Sequence, residues 1–317
     1  LTVPIEKVAK KPGREYYFNI YFYTRQDDLI VKKDHLVAYN QLSLENNPQP
    51  VAYRPNSEKS IIHKIFNKKP VLKASESIKN IVVEGENFSA DFSKSSGMLA
   101  SLKYSDIEIF NNQHGLELSA FRAPVDNDHI RRSWYDAGLN QMSAEIIKME
   151  LAKNDNNVVV YIEKKYYGKQ RKLLFDLQTE YTLFSDGVVF VDNDIQPAEG
   201  LPELPRLGLK AELNKTLSKV QWFGRGPWEN YNDRSSSAIF GQYTKNVTEF
   251  FVPYVRPQSM GNREEARWIA MVNGNNRGAL FVANDKMAFT TLNFTEQQLD
   301  RAGHLNELPP SDKVWVY

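Results

Sequence analysis

The sequence contains no cysteine. Disulfides, cysteine-bound zinc and a thiol nucleophile are therefore all excluded. Histidine is scarce. The five present, His35, His63, His114, His129 and His304, are scattered, and none lies at the spacing of zinc ligands. Excess charge of either sign is also missing: 40 Lys+Arg against 39 Asp+Glu leaves a formal net charge of +1. That balance argues against a surface built to coat nucleic acid or an anionic membrane. The basic cluster Lys64, Lys68, Lys69 and Lys73 is local and reads as a solvated linker face. No apolar run approaches the roughly 20 residues of a membrane helix. The nucleotide-binding and hydrolase signatures G-x-x-x-x-G-K-[ST], G-x-G-x-x-G, H-E-x-x-H and G-x-S-x-G are absent.

What is present is a chain of 317 residues, 41% hydrophobic and 12% aromatic, enough apolar surface for a large core. Its dominant period is two. "YYFNIYFYT" after Pro12-Gly13 reads as a strand. "ENNPQPVAYRPNS" reads as a boundary, and residues 57 to 80 as a weakly patterned connector. From Ile81 the strands become regular. "NIVVEGENFSADFSKSSGMLASLKY" predicts two hairpins, with Gly97 taking positive φ in the second turn. Asp186-Gly187 between two alternating arms predicts another. Helices are few. "RRSWYDAGL" offers Ser133 as N-cap and Gly138 as stop, and "TEQQLDRAGH" offers a Thr295/Gln298 capping box ending at Gly303. The expectation is an all-β fold: a small module over residues 1–47, a linker over 48–80, and a large β-sandwich over 81–317. The chain opens at Leu1 rather than Met. It closes on "KVWVY", which reads as a strand whose partners lie beyond the chain. Both ends suggest a piece of something longer.

Two stretches carry possible chemistry. "RAPVDNDHIRR" sets Asp126, Asn127 and Asp128 side by side. These oxygens can coordinate a hard cation, bind sugar hydroxyls, or simply cap a tight turn. "VQWFGRGPWENYNDRSSS" packs Arg225, Trp228, Glu229, Asn230, Asp233 and Arg234 into one loop. Glu229 can act as a general acid or sugar contact, or pair with Arg225 or Arg234 and pin the loop. Trp222, Trp228, Trp134 and Trp268 can stack on sugar rings or pack a core.

In order, "ENFSADFSKSSGML", "RAPVDND", Trp134 with "AGL", "GRGPWENYNDR" and "PYVRPQSMGNREEARW" resemble the C-terminal part of family 2 β-galactosidases of the LacZ type. The ordered match runs from about residue 81 to 317. Residues 1 to about 47 resemble, more loosely, the closing strands of the immunoglobulin-like domain before it. The resemblance implies a partial immunoglobulin-like module followed by a galactose-mutarotase-like supersandwich. It also implies a parent enzyme that hydrolyses terminal β-galactosides with retention on a TIM barrel, with Mg2+ and Na+ mainly around that barrel. No βαβα alternation occurs here, and Asn306-Glu307 sits in a turn context. So neither barrel glutamate carries over, and the isolated chain is expected to be inactive. Arg122, Asp126, Asn127, Asp128 and Trp134 are the expected substrate-proximal residues, and the loop from Arg225 to Arg234 is expected to be structural. The pocket-closing tryptophan of the family would follow Tyr317. "PQSMGNR" departs from the family at Ser259-Met260, where an acid is common. The resemblance implies partners in a galactoside, the other domains and a homo-oligomer, with no nucleic acid and no membrane. Rival readings stay open: a carbohydrate-binding or purely structural sandwich, and a stand-alone aldose-mutarotase-like enzyme using His and Glu.

Overall fold

In a computed structural model, the structure describes residues 11, 13–44 and 72–317. The boundary segment at 45–57, Lys64, Lys68, Lys69 and most of the expected linker lie outside the described residues.

The alternating runs fold as antiparallel strands throughout. A hairpin of Tyr17–Tyr23 and Leu36–Ser43 stands first. Then comes a five-stranded meander. Its first strand, Lys73–Glu76, falls within the expected linker and pairs with Asn80–Glu84. Phe88–Ser93, Met98–Tyr104 and Ile107–Glu108 complete it. Gly97 has φ 59°, so the predicted turn forms where a residue without Cβ can sit. A four-stranded sheet follows in the order Val189–Pro197, Leu173–Phe184, Asn157–Tyr167, Ser143–Lys153. Its Asp186-Gly187 turn has φ 86° at the glycine, as the two-arm pattern predicts. A second four-stranded sheet orders Ile239–Asn246, Lys219–Gly226, Arg263–Val272 and Gly278–Phe289.

The C-terminal strand corrects the sequence reading. Val314–Val316 is not waiting for absent partners: it pairs with Gly208–Leu213 on one side and Thr291–Leu292 on the other. The first of those partners lies about a hundred residues away in sequence, so no local pattern could reveal it.

Two helices are corrected at their ends. Arg131–Ala137 begins two residues before Ser133. The Ser133 hydroxyl donates back to the Ile130 carbonyl at 2.7 Å, inside the first turn rather than capping it. Gly138 does end this helix, in the left-handed region at φ 81°. Its own helix and a neighbouring turn require the glycine, because a Cβ there would lie 2.2 Å from the Lys169 nitrogen. Glu296–Arg301 starts with the predicted Thr295/Gln298 capping box but stops at Ala302, one residue short of Gly303.

Strand alternation explains the core. Along Asn157–Tyr167 every second residue is buried: Val158, Val160, Ile162, Lys164 and Tyr166. Strands from several sheets contribute to one large cluster that includes Phe92, Tyr181, Trp222 and Phe250. A second cluster around Trp134, Phe121, Tyr166 and Phe175 packs the helix Arg131–Ala137. The architecture is an all-β sandwich, as the period-two pattern predicts.

Candidate functional site

Three stretches far apart in sequence meet in the fold: residues 122–128, 224–234 and 253–268. The first is a loop after the short strand Glu117–Ser119. Its turn is built by one carboxylate. Asp128 accepts both guanidinium nitrogens of Arg122, at 2.7 and 2.8 Å, and the Val125 backbone N–H at 2.7 Å. The paired donors of a guanidinium match a carboxylate in one plane, and that fork fixes the loop. Arg122 also lies over the Trp134 ring, 5.5 Å from its centroid. Trp134 is 2% exposed and donates its indole N–H to the Glu203 carbonyl at 2.9 Å. It therefore supports the loop from beneath, and no ring face is open for a sugar. Asp126 and Asn127 sit exposed at the tip.

The second stretch enters from the strand Lys219–Gly226. Trp222, from this strand, is fully buried against Tyr243, Phe250 and Phe289, so the option of sugar stacking is overturned for it. Arg225 does not pair with Glu229. It donates to Glu265 at 2.7 Å and lies over Phe240. Glu229 accepts three donors: Arg234 at 2.6 Å, the Gly261 N–H at 2.9 Å, and the Tyr254 hydroxyl. Burial opposes its ionisation, but those three donors outweigh burial and hold its carboxyl below the usual range. A general acid at neutral pH needs the opposite shift. Trp228 is 54% exposed, and Asp233 is exposed.

Asn230 is fully buried and ties the second stretch to the third. Its N–H donates to the Asn262 carbonyl at 2.9 Å, its side-chain oxygen accepts the Glu264 N–H at 2.9 Å, and its carbonyl accepts from the Asn262 amide at 2.8 Å. Arg263, 2% exposed, spans the same join by donating to the Pro227 carbonyl at 2.9 Å while stacking over Trp222 and Phe250. Burial pushes its guanidinium down to about 10. Glu265 has φ 53°, and the register of its strand shifts on both sides of Ala266. This bulge turns the Glu265 side chain toward Arg225.

The first and third stretches join through a residue that the sequence reading passed over. Glu296, fully buried at the start of its helix, accepts the Ala123 N–H at 2.7 Å, Arg206 at 2.8 Å and the Ser259 hydroxyl at 3.2 Å. Ser259 also donates its N–H to the Ala123 carbonyl at 3.1 Å. Ser259 is where the resemblance calls for an acid, and here a carboxylate reaches that spot from another element. Its sequence signal was only an acidic first-turn residue after a capping Thr, which ordinarily faces solvent. Glu264 is half-buried, and burial pushes its carboxyl up against the Asn262 donor. It lies inside the "GNREEARW" motif, and its backbone N–H is tied to Asn230 in the second stretch.

The site is therefore a junction of motifs on a β-sandwich, with Asp128, Glu229, Glu265 and Glu296 engaged by cations and backbone donors. Residues 84–317 match the family model described as beta galactosidase small chain. The chain belongs to that family. It is 28% identical over its whole length to a β-galactosidase of Vibrio cholerae, covering 30% of that protein. It is 29% identical over 99% of its length to one of Streptococcus thermophilus, covering 29% of it. It is 30% identical over 78% of its length to one of Priestia megaterium, covering 24% of it. The chain thus spans under a third of the length of the curated relatives it matches.

Proposed function

We propose that this chain is the terminal sandwich portion of a β-galactosidase that cleaves terminal β-galactosides with retention. Its role there is to complete the rim of the galactoside pocket and to contribute subunit contacts. The two carboxylates of a double displacement lie on a barrel outside this chain. The observation that carries this reading is the family match over residues 84–317, from a chain spanning under a third of its relatives. Supporting it, Asp128 and Glu229 have their oxygens taken up by Arg122, Arg234 and backbone donors, an arrangement suited to holding loops. Asp126 and Asn127, exposed at the tip of the Arg122 loop, are the side chains offered to a neighbouring pocket. Arg122 and Trp134 position that tip. The loop from Arg225 to Arg234 is structural in this reading. The division into a 1–47 module, a 48–80 linker and an 81–317 sandwich, the homo-oligomer, and dependence of the whole enzyme on Mg2+ and Na+ belong to the same proposal. Among the described residues, no three His, Asp or Glu side chains are grouped to hold a metal ion. No step is assigned to a metal in this chain.

The test is hydrolysis of a chromogenic β-galactoside by the purified chain with Mg2+ present, beside a full-length relative. The reading expects no turnover above background. Turnover that tracks the protein through purification sinks it, and Asp126, Asp128 and Glu229 would then be the first residues to replace.

A further inference from the structure

The hairpin of Tyr17–Tyr23 and Leu36–Ser43 is fastened to the sandwich. Strand pairing sets Tyr17 opposite Ser43, Asn19 opposite Gln41 and Tyr21 opposite Tyr39. Alternation therefore places Tyr17, Tyr39 and Gln41 on one face of the hairpin. That face meets Ile239–Asn246, the outer strand of its four-stranded sheet. Phe240 lies opposite Arg225 in the ladder, and among the described residues no strand pairs with its outer side. The Gln41 side chain takes that place. Its amide donates to the Phe240 carbonyl at 2.9 Å, and its oxygen accepts the Phe240 N–H at 2.7 Å. One side-chain amide thus satisfies both backbone groups that an added strand would satisfy.

The contact continues into the "GRGPWENYNDR" loop. The Ser237 carbonyl accepts both the Tyr39 hydroxyl and the Trp228 indole N–H, the latter at 3.3 Å. The Phe240 ring stacks on Tyr17 at 5.0 Å and 15°, and the guanidiniums of Arg225 and Arg267 lie 4.6 and 4.8 Å from its centroid. Charges match across the join. Glu265 gives its carboxylate to Arg225 and Lys286, and its backbone carbonyl, at 2.6 Å, to Arg267. The two-pronged end of Arg267 is filled from the hairpin side: Glu15 accepts its Nε at 2.8 Å and its Nη2 at 3.0 Å. The Glu15 side chain is 10% exposed and also accepts the Tyr17 hydroxyl. Burial, and then that hydrogen bond, push the Tyr17 phenol up, so it stays a donor at neutral pH.

We propose that the loop from Arg225 to Arg234, with the strand Ile239–Asn246 after it, is a docking socket for the N-terminal hairpin, closed by the Glu15–Arg267 and Gln41–Phe240 contacts. The partner is the module that precedes the sandwich in the chain, and the socket fixes its orientation. This task goes beyond the galactoside pocket and does not depend on it. The loop is clamped from two sides. Arg225 and Trp228 face the hairpin contact, while Glu229 and Asn230 hold the 253–268 stretch. A two-stranded hairpin is marginal by itself, so its order depends on the socket.

The test is hydrogen exchange of the full 317-residue chain, followed by mass spectrometry, and the readout is reciprocity. Arg267→Lys, in the sandwich, keeps the charge and gives up the two-pronged contact. It should speed exchange in the hairpin strands Tyr17–Tyr23 and Leu36–Ser43 about tenfold or more. Gln41→Ala, in the hairpin, should speed exchange in Ile239–Asn246 by a similar factor. Exchange in the core strand Asn157–Tyr167 should match the parent in both. If either variant fails to fold, Glu15→Gln decides, and it should loosen both the hairpin and Ile239–Asn246. The proposal is overturned if each substitution alters exchange only in its own module. It is equally overturned if Asn157–Tyr167 speeds up as much as the socket and hairpin do. No outcome turns on galactoside hydrolysis, so failure here is separate from failure of the proposed function.

Discussion

Replacing Glu229 tests whether the Trp228–Arg234 loop is held by one carboxylate. The side chain of Glu229 is 9% exposed, and it serves three donors of unequal worth. Gly261 N–H is buried, so Glu229→Ala leaves it orphaned at about 1–3 kcal/mol. Arg234 is 52% exposed, and its pair contributes about 0–1 kcal/mol after solvent screening. The Tyr254 hydroxyl can turn to water and adds roughly 0.5 kcal/mol. Together these put Glu229→Ala at about 1.5–4.5 kcal/mol. Glu229→Gln keeps an acceptor for Gly261 and loses mainly the charge, roughly 1 kcal/mol. Arg234→Ala should cost about 1 kcal/mol or less. Urea unfolding of the three variants, compared at equal m-values, reads these differences. The folded carboxyl is depressed, so its stabilisation is present above the ordinary carboxyl pKa and is lost as pH falls through the folded value. The gap between the parent and Glu229→Gln should therefore be widest at neutral pH and close on acidification. A Glu229→Ala chain within about 0.5 kcal/mol of the parent, or no costlier than Arg234→Ala, would refute the assignment of Gly261 as the principal contact.

Other substitutions test other links. Trp222→Ala removes a fully buried ring from the Phe250 and Phe289 cluster and should cost about 3–5 kcal/mol in chemical denaturation. Gly138→Ala forces a Cβ to 2.2 Å from the Lys169 nitrogen at positive φ, so a clear fall in thermal midpoint is expected, larger than for Gly200→Ala, where φ is also positive but space is open. Arg122→Lys gives up the two-pronged contact with Asp128, and the loop should become more susceptible to limited proteolysis near Asp126. Thr295→Ala removes a working N-cap and should cost about 1 kcal/mol, whereas Ser133→Ala, inside its helix, should cost less.

The sequence by itself determined the class of fold, because strand alternation is local. Each inward residue of Asn157–Tyr167 and each glycine turn at 97 and 187 is dictated within a few positions. Residue order also carried the family, since the motifs keep their identities without knowledge of their contacts. Tertiary structure alone decided what those motifs do. Asp128 chose Arg122 on the same loop, but Glu229 needed Gly261 and Tyr254 from a distant stretch, and Arg225 found Glu265 through a bulge. Glu296 reached Ala123 across more than 170 residues, and "KVWVY" found strands on both sides. Trp134 and Trp222 could have been surface platforms by composition, and burial assigned them to the core. Lys164 lay on a face that alternation marks as inward, yet only packing placed its stem against the Gly97 turn. A side chain's partner depends on which strands pair, and pairing is set by the whole buried surface at once rather than by any window of sequence.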